Sequence, residues 1–347
     1  MQRADDPRLR ANELISFTEA ILGAIGCGPA IAAEMAAHLV EADLAGVYSH
    51  GVVRLTQYAD AAAAGRFDPA AAPRLTVAAG GAPLVDGGNG FGVPALRLAT
   101  ETAIAAARAE GLAAVGVAEV DHTGRIGAFV ETAAEAGQLA ILIGGGGRAE
   151  WRQVAPYGGA QALLPTNPYA IGIPGGERGP VTIDFATSAA SGGKILAARA
   201  AGRAVAEGLI VDAEGRPSTD PDAYFSGGAL LPAAGPKGYG MAALAELVGE
   251  AIFGRARSGM NWLLLTVDLA RFRGPSAYRA AAEACLAEIR SCPPAPGFDR
   301  VEVPGERERR LRAENLAAGV PLPARTLEGL SALARRLSVP QGPPSPL

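Results

Sequence analysis

Three side chains with complementary chemistry crowd together at Ser49, His50 and Arg54, inside the stretch Asp43-Leu-Ala-Gly-Val-Tyr-Ser-His-Gly-Val-Val-Arg-Leu55. An imidazole titrates near working pH and can carry a proton. A hydroxyl donates or accepts a hydrogen bond, and a guanidinium grips a carboxylate through two parallel bonds. A lone histidine is by default a structural, hydrogen-bonded one, and Arg54 alone reads equally well as a surface charge. The grouping points to a site. If helix begins near His50, the i, i+4 spacing projects His50 and Arg54 from one face. A second histidine, His122, lies in Glu119-Val-Asp-His-Thr-Gly124, after a strand and before a helix opened by glycine. Such loops face the ligand crevice of an α/β sheet. Asp121 precedes it, although adjacency in sequence does not make a bonded pair. His38 sits within an apolar helix beside Met35 and Leu39 and receives no function.

Three later stretches have the chemistry of cofactor loops. Leu164-Pro-Thr-Asn-Pro168 places Thr166 and Asn167 before a strand. Thr182-Ile-Asp-Phe-Ala-Thr-Ser188 ends a strand with Asp184, Ala186 and hydroxyls able to cap the next helix. Gly235-Pro-Lys-Gly-Tyr-Gly240 is a flexible loop with a cation. Only Lys194 and Lys237 occur among 31 Lys and Arg residues, so arginine supplies the routine surface cations and a retained lysine draws attention. Helix N-termini and lysine favour nucleotide phosphates. No Walker A loop is present. Gly90-Phe-Gly-Val-Pro-Ala95 fits the dinucleotide pattern G-x-G-x-x-A, with Glu119 placed for a ribose. The strand before it offers little core, and in a chain with 46 glycines close backbone packing is the simpler reading.

The elements needed to position these residues follow from hydrophobic spacing. Residues 12–26 and 29–45 carry apolar residues at helical intervals, and a third helix over 51–65 puts the Ser-His-Gly stretch at a helix junction. From about residue 74 short apolar runs alternate with helices. Strands are predicted at 75–78, 83–85, 113–117, 139–143, 169–173, 181–183 and 263–267, with helices at 94–110, 126–136, 188–201, 239–254 and 275–290. A hairpin is predicted over 208–219, where Asp212-Ala-Glu-Gly215 offers turn chemistry. Helices return at 306–318 and 324–337. This alternation predicts an α/β fold with a large mixed sheet. We expect a discontinuous helical domain from 1–74 and 304–338, an α/β cofactor domain over 75–303, and a flexible proline-rich tail at 339–347.

A net charge of −4 provides no basic field for nucleic acid and no polybasic patch for lipid. No apolar run approaches the roughly 20 residues of a membrane span. The first ten residues mix both charge signs and lack an apolar signal region, so a cytoplasmic location is expected. Cys27, Cys285 and Cys292 are odd in number and lack zinc spacing. Reduced thiols and no metal are expected.

Several motifs in register, spanning roughly 12–338, resemble the malate/L-lactate dehydrogenase family that is distinct from the Rossmann-type lactate dehydrogenases. They are Ala42 to Leu55, Pro156-Tyr-Gly-Gly159, Thr166-Asn-Pro168, Asp184 to Ser188 with Lys194, Asp212 to Gly215, Lys237-Gly-Tyr-Gly240 and Pro304-Gly-Glu306. The resemblance implies a non-Rossmann cofactor domain, a helical domain from both chain ends, and a homodimer with its active site near the subunit interface. It implies NAD or NADP as cofactor and a small-molecule carboxylate substrate: a 2-oxo acid or cyclic imine acid interconverted with its hydroxy or amino acid. His50 and His122 fall at proposed proton donors or acceptors, and Ser49 and Arg54 at substrate contacts. Thr166, Asn167, Asp184, Ala186, Lys237, Gly238, Gly305 and Glu306 fall where cofactor contacts are expected. This chain departs from the family at Glu119 to Asp121 and Thr123, where many members have Asn-Ser-x and an aromatic. It departs again at Gly144 to Gln153, which usually includes Asn, Thr or Ser. These departures keep open a nucleotide-binding homologue with altered or lost redox activity.

Overall fold

The structure, a computed structural model, describes residues 6–347. Strand β1 (Arg8–Leu9) leads into helices α1 (Ala11–Ala24) and α2 (Pro29–Leu44). Their apolar stripes bury Leu14, Phe17 and Ile21 on the first and Met35 and Leu39 on the second. Pro29 opens α2, where its missing N–H costs no helical bond. The helix expected over 51–65 is interrupted. Two 3-10 turns, Tyr48–His50 and Val52–Arg54, come before α3 (Leu55–Ala63). Gly51 joins them in an extended conformation, and a Cβ there would overlap the carboxyl of Asp43.

The middle of the chain runs through β2 (Arg74–Val77), β3 (Pro83–Gly90), α4 (Gly92–Glu110), β4 (Leu112–Val120), α5 (Gly127–Glu135), β5 (Gln138–Gly145), β6 (Pro168–Ile173) and β7 (Val181–Ala186). There follow α6 (Gly192–Ala200), β8 (Ile210–Val211), β9 (Pro217–Ser218), α7 (Pro221–Phe225), β10 (Ala229–Leu230) and α8 (Pro236–Glu246). A π-helical segment, Leu247–Ile252, extends α8 before β11 (Asn261–Asp268) and α9 (Pro275–Arg290). The chain closes through α10 (Glu306–Ala318), β12 (Val320–Pro321) and α11 (Ala324–Arg336).

Seven strands form one sheet in the order β2-β3-β4-β11-β5-β6-β7. Only β3 and β4 run parallel; the other neighbours are antiparallel, so the expected mixed sheet is mostly antiparallel. β11 arrives late in sequence and fills the gap between β4 and β5. Its side chains alternate as a strand covered on both faces requires. Trp262 and Leu264 join the core beneath α4 and α5, while Leu263 packs with Ala245 and Val248 of α8 and the π segment.

The G-x-G-x-x-A stretch joins β3 to α4 but does not leave the helix start open. Gly92 N–H donates to the His122 carbonyl at 3.2 Å, and a Cβ at Gly92 would lie 2.7 Å from the Asp121 carbonyl oxygen. Glu119 pairs with Arg257 at 3.1 Å. Close packing is the role of these glycines, and the loop carrying His122 is what they admit.

The hairpin over 208–219 is present: β8 pairs with β9, and Asp212 Oδ1 accepts the Glu214 and Arg216 amides across the turn. At the chain ends β1 pairs with β12, a contact the sequence reading did not foresee. Arg312 reaches Glu41 of α2 at 2.6 Å, and Asn315 Nδ2 donates to the Leu44 carbonyl at 2.9 Å. One continuous buried cluster runs from Leu14 and Met35 through Val117 and Leu142 of the sheet to Leu330 and Leu333 of α11. In the tail, Leu347 N–H donates to the Arg8 carbonyl at 2.8 Å.

Candidate active site

A cavity of about 1020 Å³ opens between the start of α3, the 121–126 loop, the end of β7 and the 302–308 turn. Ser49, His50, Arg54 and His122 line it, and so do Thr166, Asp184, Ala186 and Gly305. The 3-10 break makes the first group possible. It turns the backbone so that Arg54 Nε donates to the Ser49 carbonyl at 2.6 Å, while Arg54 Nη1 donates to Gln57 Oε1 at 2.6 Å. Two of the three guanidinium nitrogens are thereby fixed, and among the described residues Nη2 has no protein acceptor, which leaves it for a ligand. Burial, the largest influence, holds the Arg54 pKa below its ordinary value.

The two imidazoles stack, with ring centroids 5.5 Å apart and planes inclined by 15°. Ser49 Oγ lies 2.9 Å from His50 Nδ1. His122 is held differently. Tyr58, on α3, brings its hydroxyl to 2.8 Å from His122 Nδ1, and the Gly124 amide points at the same nitrogen from 3.3 Å. An amide N–H can only donate, so Nδ1 must offer a lone pair and the neutral ring carries its proton on Nε2. Burial, followed by the Arg54 charge, lowers the His50 pKa to about 4. The same causes, with His50 and His38 added, hold His122 well below the ordinary imidazole value. Both rings are neutral at pH 7 in the free protein.

Behind these residues stands a layer that the sequence reading left without a role. Asp43 Oδ2 accepts the Val52 amide at 2.8 Å and so anchors the turn carrying Ser49 and His50. His38 Nε2 accepts the Arg125 amide at 3.0 Å, and its ring stacks on Phe129. Gly124 has no side chain where one would strike that ring. Burial, reinforced by the Arg125 and Arg97 charges, lowers the His38 pKa to about 3, so it acts as a neutral acceptor. Asp121 does not meet the His122 ring; its carboxylate accepts the His122 backbone amide at 2.7 Å.

Asp184 Oδ2 accepts the Gly127 amide at 2.8 Å and so caps α5 rather than the helix that follows it. Ser191 caps α6 through the Lys194 amide. Burial raises the Asp184 pKa against the opposing pull of that amide and of Arg125. Thr166 turns its carbonyl to the amide and hydroxyl of Thr187, each at 2.9 Å. Asn167, Lys237, Gly238 and Glu306 are not on the cavity wall. Asn167 is fully buried at φ 41°, its Nδ2 on Glu246 Oε1 at 2.6 Å. Glu306 is taken up by Arg290 Nε at 2.7 Å and the Val303 amide at 3.0 Å. Gly238 admits the close approach of α8 to the Ala233 and Thr187 carbonyls, and Lys237 is exposed beside it.

The donor set suits a dinucleotide with a small acid. The first turn of α6, at Gly192 and Gly193, borders the cavity, and amides at a helix start suit phosphate oxygens. Gly305, at φ 92°, borders the cavity, and the place of its missing Cβ is taken by Arg309 Nη1 and the Thr182 backbone.

Sequence reasoning missed Tyr58, Arg125 and Glu246. Tyr58 lies four residues past Arg54, so the spacing that linked His50 to Arg54 reaches it as well. Arg125 lies three residues beyond His122, but its pairing with Glu131 depends on how the loop meets α5. Glu246 gave no local signal: its partners are 79 and 100 residues away.

Comparison with known proteins identifies the family. Residues 9–331 match the family of malate/L-lactate dehydrogenases. A Δ(1)-pyrroline-2-carboxylate/Δ(1)-piperideine-2-carboxylate reductase from Pseudomonas putida is 33% identical over 340 residues, covering 94% of this chain and 96% of its own. An L-sulfolactate dehydrogenase from Methanothermobacter thermautotrophicus is 31% identical, covering 96% and 98%. Among solved structures, malate dehydrogenase from Pyrococcus horikoshii superposes with a TM-score of 0.86 at 28% identity, covering 99% of this chain and 98% of its own. The chain belongs to the malate/L-lactate dehydrogenase family.

Proposed function

We propose that this protein is an NAD(P)-dependent oxidoreductase that interconverts a small 2-oxo acid, or a cyclic imine acid, with its 2-hydroxy or amino acid. The observation that carries this is the placement of two stacked imidazoles and Arg54 on the same cavity as the Thr166, Asp184 and Gly305 loops. In this reading Ser49, His50 and Arg54 come from the helical unit formed by 1–74 and 304–338, and His122 with most of the cofactor loops from the α/β unit over 75–303. We further propose a cytoplasmic homodimer. Leu244, Leu247 and Ile252, each more than half exposed along α8 and the π segment, support a second copy covering that face.

When bound, the nicotinamide supplies or accepts a hydride at the substrate carbon. Arg54 holds the substrate carboxylate through its free Nη2 edge, and Ser49 borders the reacting group. Negative charge develops on the carbonyl oxygen, or on the nitrogen of a neutral imine, as the carbon is reduced, and a proton must be delivered there. His50 is the better carrier. Its Nδ1 faces a hydroxyl, which can rotate to accept or donate and so tolerates both protonation states. His122 as an imidazolium would point an Nδ1–H at the Gly124 N–H, so it stays neutral and offers Nε2–H as a fixed donor. A bound carboxylate raises the His50 pKa by placing an opposite charge beside it.

The test is His50→Gln with pyruvate, malate and Δ1-piperideine-2-carboxylate as candidate substrates. Loss of a general acid costs about 10²-fold or more in turnover. The dissociation constant for NADH or NADPH, measured by fluorescence titration, should stay within about threefold, since the change alters no cofactor contact. Equal loss of turnover and cofactor affinity would make His50 structural.

A further inference from the structure

We infer that Arg125 is a second anion-holding residue of this cavity, gripping a carboxylate or phosphate group separate from the one Arg54 takes. The inference rests on the proposal that the cavity binds a carboxylate substrate with a dinucleotide. Arg125 lines the cavity, yet its side chain is only 8% exposed. A guanidinium that deep is costly unless its donors are used. One nitrogen is used: Nη2 meets Glu131 Oε2 at 3.2 Å. Among the described residues no protein acceptor takes Nη1, and Nη1 is not sealed from solvent, so its N–H groups open on the cavity that Arg125 lines.

The residue is held from both ends. His38 accepts its backbone amide, and Gly124 before it fits only because no Cβ intrudes on the His38 ring. Glu131 anchors the far edge of the guanidinium and has a second cation nearby in Arg309, at 3.7 Å. Glu131 therefore does not depend on Arg125 alone. A charged donor fixed by backbone and side-chain partners, with one edge left over, is preorganised for a ligand. An arginine edge suits the paired oxygens of a carboxylate or a phosphate. Asp184 stands nearby and already occupies the start of α5 through the Gly127 amide, so the ligand's anion meets the Arg125 side chain and not the helix end.

Calorimetric titration with malonate and with pyrophosphate tests this without requiring turnover. Malonate stands for a substrate with a second carboxylate, and pyrophosphate for the diphosphate of a dinucleotide. The wild-type protein should bind at least one of them, and Arg125→Met should weaken that binding about ten- to a hundredfold, the loss expected for one charge-assisted bond. A loss confined to malonate places the group on the substrate; a loss confined to pyrophosphate places it on the cofactor. If Arg125→Met does not fold, Arg125→Lys decides. Its compact ammonium stays on Glu131 without a second planar edge, and affinity should fall at least about threefold. Binding of neither anion by the wild type, or affinities within about threefold in the folded variant, would overturn the inference. Anion binding by the wild type without oxidation of NADH or NADPH on any substrate would instead defeat the proposed reaction and leave Arg125 as assigned.

Discussion

Replacing Asp43 by Asn should change how stability depends on pH, with a sign the structure fixes. Asp43 is 1% exposed in the last turn of α2; its Oδ2 takes one amide and its Oδ1 takes none. Burial raises its pKa from 3.8 to about 8, against the opposing effect of the Val52 amide. The unfolded chain releases the proton near pH 3.8, while the folded protein keeps it to about pH 8. Between those limits the folded state binds more protons, so stability falls as pH rises. Each pH unit is worth a little over 1 kcal/mol, so roughly 3 kcal/mol is lost from this group between pH 5 and 7. Below pH 3.8 its full contribution is present.

Asn at this position accepts the Val52 amide through its carbonyl oxygen and does not titrate. It also turns an NH2 toward the place of Oδ1, and a buried donor without a partner costs about 1–3 kcal/mol. The variant should be as stable as the wild type or weaker at pH 5 and stronger at pH 8, with the crossing in between. Urea denaturation at pH 5, 6, 7 and 8 reads this out, and taking the difference between the two proteins cancels the other titrating groups. A difference that stays flat across the series, or moves in the opposite direction, refutes the argument that Asp43 is held protonated.

Tyr58→Phe removes the hydroxyl from His122 Nδ1 and leaves the Gly124 amide as its partner. Turnover should fall about three- to tenfold, as expected for a net hydrogen bond of roughly 1 kcal/mol, with NADH affinity unchanged by fluorescence titration. Glu246→Ala strands both the Asn167 amide and the Gly146 N–H, and should destabilise the protein by about 2–5 kcal/mol, read as a lower urea midpoint. Glu246→Gln keeps an acceptor oxygen and should recover at least half of that loss.

How much of this was legible in the sequence depended on the reach of each interaction. α9 and α10 were bounded to the residue, and the strands around β11 to within a few, because helical spacing and short apolar runs are local signals. β1 and β12 were invisible: two residues each, they are strands only because the fold brings Arg8 and Gly319, 311 positions apart, together. Ser49, His50 and Arg54 were legible as a group because they act across a few residues. The details were not. The expected continuous helix is broken at Gly51, since Asp43 occupies the space a side chain would need. His38 looked inert on its apolar helix, and its partner at Arg125 is 87 residues away. Asn167 could be picked out as a polar residue in a loop before a strand and Glu306 only through the family resemblance, but the folded chain shows their side chains already committed to Glu246 and Arg290.

The glycine run at 144–147 opens the stretch, 144–153, in which the sequence reading finds a departure from the family pattern, and it bears directly on whether redox chemistry survives here. Packing accounts for the change. A Cβ on Gly145 would overlap the Ala245 carbonyl, and one on Gly249 would overlap the Gly145 backbone. β5 and the π segment touch main chain to main chain, which only glycines allow. A Cβ on Gly144 would meet the Trp262 ring, whose indole fills the volume where a side chain from that strand would project. The run thus follows from seating the π segment and Trp262, and π bulges of this kind recur beside functional sites. The residues after the run remain at the cavity: Trp151 and Gln153 line it, with Trp151 Nε1 fixed on the Ser258 carbonyl at 2.9 Å. The start of the loop is given over to a close approach of α8 and the π segment, while His50, His122 and Arg54 lie on other elements. Altered selectivity is therefore the expected consequence of the departure at 144–153, and loss of the proposed proton carriers His50 and His122 is not.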